Sequence, residues 1–260
     1  MNKIFAVAAV VIKELYRRKD FYVLFILTVL ITGLMWVMNF FHDDHIVRFI
    51  KEICLVLIWI SSLVMAITTA ARQIPFERES RTIFPLLAKP ITRSQVLLGK
   101  FLGCWVASGA TLFVFYIFFA LVSASREHTL PIGPYFQAYW LHWQMLGIVI
   151  AMAMLGSVSL STPSANITMV FVITLGILTL GAFLHKVAQH MTEPSASFVT
   201  ALYYVIPHLE LFNMGKLIIH DWPQENGIWM YVLLDTLYGF AYSAFFLLAA
   251  CMVFRRKALN

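Results

Sequence analysis

Eight histidines, at positions 42, 45, 128, 142, 185, 190, 208 and 220, and three cysteines, Cys54, Cys104 and Cys251, are the side chains here best suited to metal or nucleophilic chemistry. The run His42-Asp43-Asp44-His45 is close enough in sequence to chelate an ion, and imidazole suits copper and zinc. Its spacing matches no established site, so no metal is assigned. The cysteines are far apart and each lies in an apolar run, the pattern of packed, reduced thiols rather than of a disulfide framework or zinc site. No nucleophile, base and orienting acid occur together, and no histidine pair has the mid-span placement that haem requires. A GxxxxGK[ST] phosphate loop is also absent, since Gly99-Lys100 lacks the glycine five positions before it. The remaining candidate is Asp235, an acid inside an apolar run. Ionisable residues are costly there and are functional by default. It lies about two turns from Trp229, so either it bonds to neighbours such as Tyr231, Thr236 or Tyr238, or it lines a path or exit together with Tyr238.

The elements that must position these residues belong to a membrane. The 260-residue chain is 61% hydrophobic and 12% charged, with a mean hydropathy of +0.81, whereas soluble domains are about one quarter charged. Its apolar residues form unbroken runs rather than the alternation of a barrel strand. The expected class is an all-α membrane protein forming one transmembrane domain over residues 1–260.

Six runs are long enough to span, at about 1.5 Å of rise per residue across a core of about 30 Å. They are Phe21–Phe41, Ile53–Ala71, Phe101–Val122, Tyr139–Leu160, Ile167–Leu184 and Ile228–Phe254. The fourth begins with Tyr139, Trp140, His142 and Trp143, an aromatic belt that places these residues at an interface. Residues 1–20 carry an apolar run too short to span, with the basic cluster after it, which disfavours a cleaved signal peptide. An interfacial helix, with Phe5, Ala8, Ala9, Ile12, Leu15 and Tyr16 toward lipid, or an extension of the first span, fits this pattern. Residues 186–227 hold two short apolar stretches separated by Pro207, read as re-entrant external helices or as a small external cap.

Charge sets the orientation. Five Lys and Arg precede Phe21, six lie between Arg72 and Lys100, and three follow Phe254, against Arg48, Lys51, Arg126, Lys186 and Lys216 on the other side. The positive-inside rule then places both termini in the cytoplasm. On this view the net charge of +6 reflects topology, and nucleic acid is not an expected partner. All eight histidines fall outside or at the outer interface.

The stretch Arg72–Lys100 is too long for a simple connection, since most are about 4–6 residues. Glu77, Arg78, Glu79 and Arg81 alternate with Phe76, Ile83, Phe84 and Leu87. Apolar anchors supply affinity and charges fix register when a helix docks on a partner.

The segment Glu77–Gly103, ERESRTIFPLLAKPITRSQVLLGKFLG, resembles the first cytoplasmic loop of type-2 ABC exporter permeases. The resemblance is carried by Glu77, Arg78, Glu79, Thr82, Leu86, Leu87, Pro90, Ile91, Arg93, Gly99 and Lys100 in order and spacing. It implies a bacterial inner-membrane permease with six spans, an interfacial first helix, a cytoplasmic coupling helix between spans 2 and 3, and re-entrant external helices between spans 5 and 6. It further implies a second permease copy or paralogue and a separate ATPase chain that binds ATP and Mg. The ATPase-docking residues would be Phe76, Glu77, Arg78, Glu79, Arg81, Thr82, Phe84, Leu87, Lys89 and Arg93. The stretch YYVIPHLELFN, Tyr203–Asn213, is similar to permeases linked to multicopper-enzyme maturation. Two rival functions follow from the same residues. One is transmission of ATP-driven motion to a periplasmic protein without cargo, and the other is a membrane anchor for a redox metalloenzyme, suggested by the external histidines.

Overall fold

The computed structural model describes residues 3–17, 26, 29, 33, 44–79, 91–127, 132–189, 205–213 and 228–256. Among these, the regular elements are helical: α1 (Lys3–Tyr16), α2 (Asp44–Ala71), α3 (Gln73–Glu79), α4 (Arg93–Glu127), α5 (Ile132–Ser159), α6 (Pro163–Gln189), a 3-10 turn η1 (Leu209–Phe212) and α7 (Ile228–Arg256). Lys51–Glu79, Arg93–Leu121, Ile132–Ser159 and Trp229–Arg256 are long and apolar enough to cross a membrane, and Pro163–Thr179 is a shorter apolar helix. The expected first span, Phe21–Phe41, lies almost wholly outside the described residues.

Four helices begin earlier than the apolar runs do. α2 starts at Asp44, α4 at Arg93, α5 at Ile132 and α6 at Pro163, where Ile53, Phe101, Tyr139 and Ile167 were expected. Polar residues do not stop a helix; caps and prolines do. At the start of α4, the Gln95 N–H donates to Thr92 Oγ1 at 3.3 Å while the Thr92 N–H donates to Gln95 Oε1 at 3.1 Å. This is a capping box. Pro163 opens α6 at the first helical position, where its missing N–H is no loss.

α5 is the axis of the molecule. It is apolar nearly all round, and such a helix must be buried on every side. Leu141, Met145, Ile148, Val149, Ala153 and Met154 have no exposed surface, and α2, α3, α4, α6, α7 and η1 all pack against it. α7 is the opposite case, with Leu233, Leu234, Leu237, Phe240, Phe245 and Leu248 exposed along it.

α1 packs lengthwise on α4. A β-carbon at Gly99 would come within 2.7 Å of Val7 Cβ, and one at Gly103 within 2.7 Å of Val11 Cβ. The four-residue step is the same on both helices, so α1 runs beside α4 in the same direction, at the close approach that two small residues four apart permit. The buried stripe is Val7, Ala8, Val11 and Leu15, while Phe5 and Tyr16 are exposed. The stripe expected to face lipid is therefore rotated, because the two glycines offer the tighter seat.

Residues 205–213 fold back against the bundle. Leu209 and Phe212 are buried, the His208 N–H donates to Tyr238 Oη at 2.8 Å, and Tyr242 Oη donates to the Val205 carbonyl at 3.4 Å. Tyr242 lies midway along α7, so this segment reaches the middle depth of that helix. Residues 186–189, the start of the expected re-entrant region, continue α6, and residues 190–204 and 214–227 lie outside the described residues.

Candidate functional site

The ends of α2, α4, α5, α6 and α7 converge on one face, together with α3. Lys100 is the anchor there. Its Nζ lies 2.7 Å from Glu77 Oε1, 3.1 Å from Gln73 Oε1 and 3.3 Å from the Gln73 carbonyl. An ammonium has three donors, and here three oxygens receive them. The Lys100 side chain is 3% exposed and that of Glu77 21%, so the pair is largely removed from water. Glu14, Arg72 and Phe76 line the same small cleft.

Under this polar lock lies an apolar cluster of Ile74, Leu97, Val158, Ala250 and Phe254, which joins α3, α4, α5 and α7. Two arginines stitch its rim. Arg93 donates from Nη1 to the Phe254 carbonyl at 2.9 Å, its guanidinium 5.8 Å from the Phe254 ring centre. Arg255 Nε donates to Ser94 Oγ at 3.2 Å. Arg93 thus satisfies a carbonyl in the last turn of α7, where a cation also complements the helix dipole.

Asn166 performs the equivalent task for α6. It is fully buried, and its Nδ2 donates to the Ala153 carbonyl at 2.9 Å and to the Ala71 carbonyl at 3.4 Å. Gly156 makes room for it, since a β-carbon there would overlap Asn166 Oδ1.

The residues expected to dock a partner divide into three groups. Phe76 is half exposed, Glu79 is exposed and Arg78 is half-buried on α3. Glu77 and Arg93 face inward to Lys100 and Phe254. Both were expected on the docking surface; their charged ends are instead spent within the chain, because a buried ammonium and an open helix end lie within reach. Arg81, Thr82, Phe84, Leu87 and Lys89 lie outside the described residues.

The bundle also holds polar groups that hydropathy hides. His142 is buried among the helices, and α5 begins at Ile132, about 15 Å before it along the axis. Ser62 Oγ donates to the Trp59 carbonyl at 3.0 Å and lies 2.9 Å from His142 Nε2, while Tyr116 Oη lies 3.4 Å from Nδ1. Because the Ser62 proton goes to Trp59, Nε2–H donates to Ser62 Oγ, and the imidazole ties α2, α4 and α5 through Ser62 and Tyr116. Beside it on α4 and α5, Trp105 Nε1 donates to the Trp143 carbonyl at 3.2 Å and Trp143 Nε1 to the Trp105 carbonyl at 2.9 Å.

Asp235 is half-buried on α7. Two of its expected neighbours make bonds to other groups: Thr236 accepts from Trp140 Nε1 at 2.9 Å, and Tyr238 accepts from the His208 N–H; Tyr231 is exposed. Sequence reasoning passed over Lys100, Asn166, His142 and the tryptophan pair as anchors. The available signal was the same for all: a polar or amphipathic side chain within or beside an apolar run has to find a partner in the bundle.

An all-helical bundle with several apolar crossings and a polar lock at one end defines a multi-pass membrane protein. A family model described as ABC-2 family transporter protein matches residues 26–259. The chain belongs to that family and is a membrane permease component of an ABC transporter, a non-catalytic transport subunit. No sequence among the curated proteins matches it.

Proposed function

We propose that this chain is the membrane subunit of an ABC exporter in a bacterial inner membrane, with both termini cytoplasmic, working as a dimer with two copies of a separate ATPase that binds ATP and Mg. The observation that carries the reading is the geometry of α3. Phe76 and Glu79 project from a helix whose opposite side is fixed through Glu77 and Gln73 to Lys100. Phe76 is about half exposed and Glu79 is exposed, an apolar anchor beside a charge that another chain could cover. Motion imparted to α3 by ATP-driven closure of the ATPase would pass to α4 through the ion pair and to α5 and α7 through the apolar cluster below it. Asp235 and Tyr238, in the outer half of α7, belong to the exit. The docked segment at 205–213 also favours a second reading, in which the same motion is delivered to a periplasmic partner without cargo.

Purification of the chain from its native membrane in mild detergent, with mass identification of the proteins retained, tests both. An ATPase in equal amount supports the exporter reading, and an additional periplasmic protein favours force transmission. A redox enzyme without an ATPase overturns both.

A further inference from the structure

Between α5, α6 and the returning segment lies a cavity of about 560 Å³, walled by Met152 and Leu155 of α5, Met169 and Ile173 of α6, Val205 and Phe246. Its chemistry is restrictive. Ser159 is a polar side chain at its edge, and that hydroxyl already donates to the Leu155 carbonyl at 2.8 Å. A nucleotide, sugar or ion would therefore find no partner inside, and burying its polar groups would carry the full desolvation penalty.

Position and shape narrow the occupant further. The cavity runs from Leu160, beside the turn joining α5 to α6, to Met152 on α5, about 12 Å along the axis, and to Ile177 on α6, about 21 Å from Pro163. It thus reaches from the turn end of this helix pair to about the depth of the middle of a core of about 30 Å or a little beyond. Met169, Ile173 and Val205 are exposed at its side, so it opens laterally toward the hydrocarbon.

Gly176 supplies an independent observation. It lines the cavity in the interior of a 27-residue helix, where glycine is disfavoured relative to alanine. Among the described residues no atom lies within 4 Å of where its β-carbon would be, so the helix leaves open space toward the cavity at this position. Gly156, at the same cavity, is different, because Asn166 fills the space of its missing side chain.

We infer that this cavity is a binding site for a single acyl chain of an inner-leaflet glycerophospholipid, which enters from the side with its headgroup at the α5–α6 turn. The assignment to the inner leaflet rests on the orientation given under Proposed function. Each buried methylene contributes roughly a factor of four in affinity, so a side chain that occupies part of the cavity weakens binding steeply.

The test uses the full chain in phosphatidylethanolamine–phosphatidylglycerol vesicles that carry a phosphatidylethanolamine with a photoactivatable acyl chain. Crosslinked peptides are mapped by mass spectrometry for the wild type and for Gly176→Phe, whose β-carbon enters open space and whose ring occupies part of the cavity. The expected result is preferential labelling of the peptides containing Met152–Leu160 and Met169–Ile177, reduced at least about tenfold in Gly176→Phe, with labelling of the exposed face of α7 unchanged. Equal labelling of both faces in both proteins overturns the site. So does a disulfide between two copies of an Ile173→Cys variant, which would show that a second copy covers it. A membrane-impermeant thiol reagent applied from each side to Ser161→Cys reports the leaflet separately. If the turn proves external, the orientation fails while the acyl site stands.

Discussion

Glu77 and Lys100 close a 2.7 Å ion pair between the short helix α3 and the first turns of α4, with the lysine almost wholly buried. Because Gln73 takes the other two ammonium donors, the pair fixes both ends of α3 rather than one. Removing one member leaves a charge without its partner in a site that water scarcely reaches, which is worse than having no pair at all. Lys100→Met is expected to destabilise the protein by about 2 kcal/mol, below the cost of a fully buried pair because Glu77 is partly exposed. Thermal unfolding in detergent measures this. Lys100→Met with Glu77→Leu should recover much of the loss, and a double variant no more stable than the single one would contradict the pairing argument.

The outward side of α3 should behave differently. Glu79→Arg reverses an exposed charge with little effect on packing, so that protein should insert and melt as the wild type does, whereas Arg78→Glu, at a half-buried side chain, should insert but melt somewhat lower. On the proposed function, each loses association with the ATPase and stimulation of its hydrolysis; Phe76→Asp should do the same by removing an apolar anchor. Retained binding in all three would remove α3 from the docking surface.

Trp105 and Trp143 exchange indole donors for each other's carbonyls, and their rings stack with centroids 4.6 Å apart. Trp143→Phe keeps the ring contact but removes one donor, an expected loss of about 1 kcal/mol. Gly109→Leu should be far more damaging, because a β-carbon at that position overlaps the Trp143 indole. Comparison of the two melting curves separates the hydrogen bond from the packing.

Tyr238 is the acceptor that holds the returning segment to α7, through the His208 N–H at 2.8 Å. Tyr238→Phe is expected to cost about 1 kcal/mol locally. Faster hydrogen exchange over residues 205–213, with α5 unchanged, is the predicted signature.

The thiols of Cys54 and Cys104 are buried, and that of Cys251 is partly so. A membrane-permeant maleimide should label Cys251 in the native protein and reach Cys54 and Cys104 only after unfolding.

The sequence alone determined the class, the placement of most crossings and the side of the membrane expected for the basic loop. These are local properties: a run of apolar residues and a cluster of lysines and arginines read the same whatever else the chain does. It also exposed the stretch from Arg72 to Lys100 as more than a turn. What only the tertiary structure decided is which way the side chains in and around that stretch face. Glu77 and Arg93 turned inward because Lys100 and the last carbonyls of α7 come to meet them from 23 and 161 residues away along the chain. His142 was legible as an interfacial residue beside tryptophans, and became a buried tie once packing brought Ser62 and Tyr116 to its two nitrogens. Helix propensity and hydropathy act over a few turns, whereas a buried polar group is satisfied by whichever distant partner packing brings within about 3 Å. The cavity beside Gly176 belongs to the same category, since an empty volume is a property of three elements together and of no segment by itself.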